Sequence, residues 1–289
     1  MQPHYISKII FLLVFLFSRN VEAQNFSAFY FEANEARKLG EEGKIDSAIK
    51  TYENAFKILD YVKVEDLIKV VELAKLNNDE ERIKLYSQRI EKQSKATNPE
   101  LKATIDSLVR LDQKVRNRKS IENARYFWKC NQDSSCNKYS KKYIRAKLLY
   151  ENWAKTDSSN INCLLKLIEQ YGFLGEELVG FQGYIDITLI LVHFDTDTSN
   201  TILEPILTKA LYEGKVLPED FAYIIDRHLY FSGSPVKYWL FSWSSATKIF
   251  QSDAEITKIL ELRESIGLYG SKLWQEEYKD GHWRIRNDY

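Results

Sequence analysis

The sequence predicts an all-α protein, with helical hairpins near the N-terminus packed on or linked to a C-terminal helical domain. Three observations carry this. Glycine and proline are scarce, 11 and 5 in 289 residues, while Leu, Ile, Lys, Glu and Ala are abundant, which disfavours a turn-rich β fold. Apolar residues recur at helical spacing along most of the chain, and several runs open on a capping residue and close on glycine. Residues 28–95 match themselves when shifted by about 34 positions, so that Leu39 falls on Leu73, Ile49 on Ile83 and Tyr52 on Tyr86. The length allows one large or two modest domains. The expected division is a signal peptide over 1–23, a repeat region over 24–96 and a helical domain over 97–289.

The first segment is of a different material. Lys8 precedes the apolar run Ile9–Phe17, and small residues at Val21–Ala23 sit at cleavage spacing. This is the pattern of a secretory signal cut after Ala23. The apolar run is short for a membrane span, and no later segment reaches that length. The expected mature chain is therefore an exported protein, periplasmic or extracellular, with no transmembrane span. Lysine plus arginine and aspartate plus glutamate both number 41, so no net field recommends nucleic acid or an acidic membrane as a partner. The basic run Lys114 to Lys119 reads as a solvated helix end. In an oxidising compartment Cys130 and Cys136, in "CNQDSSC", can close a short disulfide loop, leaving Cys163 free among apolar neighbours. Count and spacing exclude a four-cysteine zinc site.

Each half of the repeat is a helix, a polar turn ("EEGKID", then "LNNDEE") and a second helix. The period and "EGKIDSAIKTYENAFKIL" resemble a tetratricopeptide repeat. In the second copy Asn77 replaces the turn glycine, and Arg82 and Arg89 replace small packing residues. The resemblance implies hairpins that bind a protein segment; packing support alone is the rival reading. Two copies cannot bury a solenoid core by themselves, so they must lean on the C-terminal part of the chain.

At "KATNPE", Asn98 can cap a helix that Pro99 begins. That helix carries Leu101, Ile105, Leu108, Asp112 and Val115 on one stripe. An aspartate within an apolar stripe needs a polar cleft or a buried partner, and Arg116 is a candidate. Further helices are expected over Ile121–Lys129, Tyr143–Lys155 and Ile161–Gln170, the last closed by Gly172. "GYIDITLILVHF" alternates like a strand, but the flanking helices leave it no partner, so it reads as a helix. After it come an amphipathic segment, Ile202–Leu211, and a helix starting at Pro218.

The order "LDQKVRNR", "YGFLGEELVG", "VHFDTD", "YIIDRHLYFSGSPVKY", "RESIGL" resembles an uncharacterised bacterial family of helical domains, DUF6624, over about Leu101–Leu268. The resemblance implies a shared Asp-Gln-x-x-Arg helix, a His-x-Asp segment and a later Asp-Arg. These are Asp112, Gln113 and Arg116, then His193 and Asp195, then Asp226 and Arg227. One segment departs from the pattern. Where the family runs polar and small, this chain has "VKYWLFSW", with Val236, Trp239, Leu240 and Phe241. That puts any inherited activity in doubt.

Other chemistry is sparse. Asp195, Asp197 and Ser199 imitate the start of a calcium loop, but Asn200 and Ile206 stand where glycine and glutamate are required. His193, Asp195 and His228 are possible zinc ligands in type only, without the compact helical spacing of hydrolytic zinc motifs. The plainer reading of the run is that Asp197, Thr198 or Ser199 caps the next helix. No nucleophile elbow or phosphate-cradling glycine loop occurs. No metal and no cofactor is expected. His228 reads as a core histidine bonded to a neighbour, and Tyr238, Trp239, Phe241 and Trp243 as core rather than a stacking platform. Two functions remain: an exported helical binding protein for a protein segment or small ligand, or a hydrolase using a His/Asp cluster for acid–base or metal-assisted chemistry. The first is favoured because no catalytic constellation is complete. Asp112, Arg116, His193, Asp195, Asp226 and Arg227 are expected to converge on one polar cleft.

Overall fold

The structure, a computed structural model, describes residues 25–196, 202–241, 248–250, 253–268, 277–279 and 282–285. The expected signal segment, the caps at Asp197–Ser199 and Trp243 lie outside them. Helices dominate: α1 (25–41), α2 (Ile45–Ala55), α3 (Val64–Leu76), α4 (Glu80–Gln93), α5 (Pro99–Val115), α6 (Arg118–Gln132), α7 (Lys141–Tyr171), α8 (Glu176–Val192), α9 (Leu203–Tyr212), α10 (Pro218–Phe231) and α11 (Asp253–Ser265). A 3₁₀ turn, His193–Thr196, comes directly after α8. Three short strands, β1 (Lys248–Phe250), β2 (Glu277–Lys279) and β3 (His282–Ile285), pair antiparallel in the order β1-β3-β2. This small sheet adds to the expected helical architecture. Among the described residues no helix is long and apolar enough to cross a membrane.

The chain forms two compact units. The first gathers the described parts of Met1–Ser94, Ile202–Asp226 and Val236–Tyr289; the second is Lys95–Thr201 with Arg227–Pro235. α9, the start of α10 and α11 thus group with α1–α4.

In the first unit, α1–α2 and α3–α4 form two consecutive helical hairpins. Their buried face includes Phe29, Ala33 and Ala36 of α1, Ile49 and Tyr52 of α2, and Leu67, Val70 and Ala74 of α3. The turns correct one expectation. Gly43 takes a left-handed conformation at φ 77°, and its structural counterpart is Asn78 at φ 56°, not Asn77, which stays right-handed as the cap of α3. Asparagine tolerates this region better than other side chains. Arg82 and Arg89 do more than fill space. Arg82 donates from Nε to Glu53 at 2.8 Å, tying α4 to α2, and the Arg89 guanidinium lies 5.8 Å from the Phe56 ring centre.

The second unit is built on α5, α7 and α8. Asn98 caps α5 by accepting from the Leu101 N–H at 3.0 Å, with Pro99 in the first turn, as the sequence predicts. α7 departs from the prediction: it is one helix of 31 residues, not two. The polar stretch "KTDSSN" looks like a connector, but Asp157, Asn160, Ile161 and Leu164 are all buried at positions i, i+3, i+4 and i+7. They continue the inward stripe of Tyr143 and Ala146 without a break. α8 is helical as expected, with a kink at Gly180, whose φ of 73° and ψ of 169° suit glycine. The kink separates a short first turn from the segment that ends at His193. Cys130 and Cys136 form a disulfide with Cα atoms 5.2 Å apart, and Cys163 is free and half-buried.

Candidate functional site

Two stripes carry a polar interruption, and in the second unit these meet. α5 presents Asp112 at 1% exposure and α7 presents Asp157 at 4%. A lone buried carboxylate is costly, and here one guanidinium serves both. Arg116 donates from one terminal nitrogen to Asp112 Oδ1 at 2.6 Å and from the other to Asp157 Oδ1 at 2.7 Å. The fork geometry of arginine suits such a bridge. The guanidinium also lies 5.2 Å from the ring centre of Trp153, one turn before Asp157, and the Trp153 indole N–H donates to the Val115 carbonyl. Asn160 adds a buried bond from its amide to the Leu108 carbonyl at 3.1 Å. Gln113, on the exposed side, donates to Asp112 Oδ2 at 2.7 Å.

The C-terminal end of α8 brings His193 to the same carboxylate. Its Nδ1 lies 3.0 Å from Asp112 Oδ1 and 3.1 Å from Oδ2. A carboxylate paired with a guanidinium can only accept, so Nδ1 carries the hydrogen. Nε2 then has no hydrogen-bond partner among the described residues, and the side chain keeps 17% of its exposure. Two carboxylates face one guanidinium, so the cluster is short of one positive charge when the histidine is neutral. Burial, the largest cause, pushes the Asp157 carboxyl up to about 6, against the opposing pull of Arg116; the nearby Asp112 charge raises it further.

Arg227 supports the histidine from behind. Its Nε donates to the Val192 carbonyl at 2.9 Å, the residue before His193, and its guanidinium lies 5.0 Å from the Phe231 ring centre. It fixes backbone and holds none of the carboxylates by that bond. His228 stacks on Phe194, centroids 6.3 Å apart and planes at 17°, and its buried Nδ1 has no hydrogen-bond partner among the described residues. The expected bond to a neighbour is replaced by ring packing.

Asp226 has a separate task. Its carboxylate accepts the backbone N–H groups of Lys237 at 2.8 Å, Tyr238 at 2.9 Å and Leu240 at 2.8 Å, all within the first unit. These bonds wrap the segment around the carboxylate and hold Trp239 at φ 56°. Burial raises the Asp226 pKa and the backbone donors oppose it. The departing segment is thereby explained: Tyr238, Leu240 and Phe241 are buried core residues, and Arg263 donates to the Tyr238 carbonyl at 3.0 Å. Asp195 lies in the 3₁₀ turn, with its side chain outside the described residues.

Of the expected cleft, Asp112, Gln113, Arg116 and His193 come together, Arg227 braces His193, and Asp226, its neighbour on α10, groups with the first unit. Asp157, Trp153 and Asn160 were not anticipated. The signal that finds them is the unbroken helical stripe running from Tyr143 to Leu164 through polar residues. Among the described residues no group of three His, Cys, Asp or Glu side chains is placed to hold a metal ion.

Fold and site together define a helical protein with a histidine anchored on a buried carboxylate. Residues 143–261 match DUF6624, a family of unknown function. The match is shorter than the resemblance over Leu101–Leu268: it includes Asp157, His193, Asp226 and Arg227, while Asp112, Gln113 and Arg116 precede it. No curated protein and no solved structure matches the chain.

Proposed function

We propose that the second unit is an acid–base site in which His193 exchanges a proton at Nε2 with a bound water or polar substrate. The observation that carries the reading is the double approach of Nδ1 to both oxygens of Asp112. An orienting carboxylate on one ring nitrogen, with the other nitrogen left outward, is how a general base is prepared. Arg116 and Asp157 hold that carboxylate in place, so its geometry does not depend on the ligand. The reaction class that suits this set is hydrolysis with water as nucleophile, because no activated serine or cysteine accompanies the histidine among the described residues. The N-terminal pattern and the disulfide favour an exported, oxidising setting.

A second reading concerns the first unit. Phe31, Leu76 and Leu85 on the hairpins are strongly exposed, which favours docking of a protein segment by tetratricopeptide-like helices. The two readings are compatible.

A panel of ester, phosphoester and glycoside substrates tests the acid–base reading, comparing wild type with His193→Gln and Asp112→Asn. The expected result is a hydrolysed class whose turnover falls by a factor on the order of 10²–10⁴ in His193→Gln. Turnover that is indifferent to His193→Gln would count against it.

A further inference from the structure

The chain is neutral overall, but its charge is not evenly spread. From Arg118 to Lys155, the α6–α7 hairpin, there are ten lysines and arginines against three acidic residues. All ten cations are exposed. Among the described residues only Arg118 and Lys147 of these have a carboxylate within ion-pair distance, Glu122 at 3.2 Å and Glu151 at 3.6 Å. The hairpin therefore carries a concentrated positive field.

The positions are ordered as well as numerous. On α7, Lys141, Ile144, Arg145 and Leu148 fall at i, i+3, i+4 and i+7, one outward stripe opposite the buried Tyr143 and Ala146. On α6, Arg118, Glu122, Arg125 and Lys129 form the corresponding exposed stripe. Large apolar groups are exposed beside these cations: Trp128 at 41%, Ile144 at 48%, Leu148 at 60% and Tyr139 at 91%. Half-buried rings pack across the hairpin, with Phe127 stacked on Tyr150 at 5.0 Å and Lys142 over the Tyr126 ring at 4.1 Å. The Cys130–Cys136 disulfide closes its tip.

We propose that this hairpin is a docking surface for a bilayer rich in anionic lipid headgroups, with its cations at the phosphate level and Trp128, Tyr139, Ile144 and Leu148 entering the interface. Charge complementarity selects an anionic occupant. The aliphatic residues within the basic stripe select the bilayer, because an interface offers apolar surface beside phosphate. A nucleic acid gives Ile144 and Leu148 no counterpart. Attachment is at the surface, since among the described residues no helix is long and apolar enough to cross. This inference stands apart from the acid–base site.

Vesicle co-sedimentation tests it, using the chain from Gln24 onward, which contains every described residue. The probes are vesicles of phosphatidylcholine alone and of phosphatidylcholine mixed with phosphatidylglycerol. The expected result is salt-sensitive binding to the mixed vesicles only. An Arg125→Ser, Arg145→Ser double variant should weaken it about 25-fold, at roughly fivefold per charge. An Ile144→Ser, Leu148→Ser variant should weaken it too; all four side chains are exposed, and circular dichroism verifies that folding is retained. Failure to sediment with the mixed vesicles overturns the proposal, as does equal binding to neutral ones. Binding that ignores the Ile144/Leu148 change and is fully competed by heparin or single-stranded DNA also overturns it, marking a surface for polyanions or acidic proteins.

Discussion

Replacing Asp157 with asparagine removes one titration and leaves nearly the same shape. In the folded protein the Asp157 carboxyl is pushed up to about 6 from a reference of 3.8. The folded state therefore holds this proton more tightly than the unfolded chain does. The associated stability is fully present below pH 3.8 and is lost as pH rises through 6. A displacement of about two pKa units corresponds to about 3 kcal/mol, at ~1.4 kcal/mol per unit. Because Asp157 is buried, little of that is discounted by solvent. Asp226 and Glu65 are also raised and Glu219 is lowered, so the wild-type profile alone mixes several groups. The difference between wild type and Asp157→Asn cancels them. Urea unfolding followed by circular dichroism from acid to pH 8 should show wild type losing about 3 kcal/mol relative to the variant, roughly half of it by pH 5. Parallel curves would refute the assignment of a proton to Asp157 and, with it, the account of how two carboxylates share one arginine.

The same contacts dictate other outcomes. Asp226→Ala strips three backbone N–H groups of their acceptor, so it should destabilise the first unit by at least ~3 kcal/mol and expose Tyr238 and Phe241, read by urea unfolding and near-UV circular dichroism. Arg227→Met leaves the Val192 carbonyl without the Nε donor; it should cost about 1–3 kcal/mol and broaden the His193 imidazole resonances while leaving helix content unchanged. A Cys130→Ser, Cys136→Ser variant should lose about 2 kcal/mol, since the closed loop is small, with the His193–Asp112 contact retained.

The helices were legible because their apolar stripes obey one period. Asn98 and Pro99 marked a start, and Asp112 stood out as a charge on the stripe of α5. Its partner Arg116 was legible too, since four residues separate neighbours on a helical surface. Asp157 was hidden: its run, "KTDSSN", has the composition of a turn, and only the facing guanidinium of Arg116 makes a buried aspartate there tolerable. Asp226 misled for the opposite reason. It is adjacent to Arg227 in sequence, but consecutive helical residues point about 100° apart, and the two side chains serve different units. Its backbone partners at 237–240 lie beyond a turn and carry no sequence mark. The whole-chain charge also concealed the α6–α7 surface, since a neutral total averages a basic hairpin against acidic residues elsewhere.

The central claim is that Asp112 fixes the proton of His193 on Nδ1 and leaves Nε2 bare. The chain from Gln24 onward has three histidines, His193, His228 and His282, so long-range proton–nitrogen spectra at a pH where the ring is neutral can assign each by single substitution. The account predicts an Nδ1-protonated His193 in wild type, with that preference lost in Asp112→Asn. A neutral His193 protonated on Nε2 in wild type, or one whose tautomer is indifferent to Asp112→Asn, would contradict it.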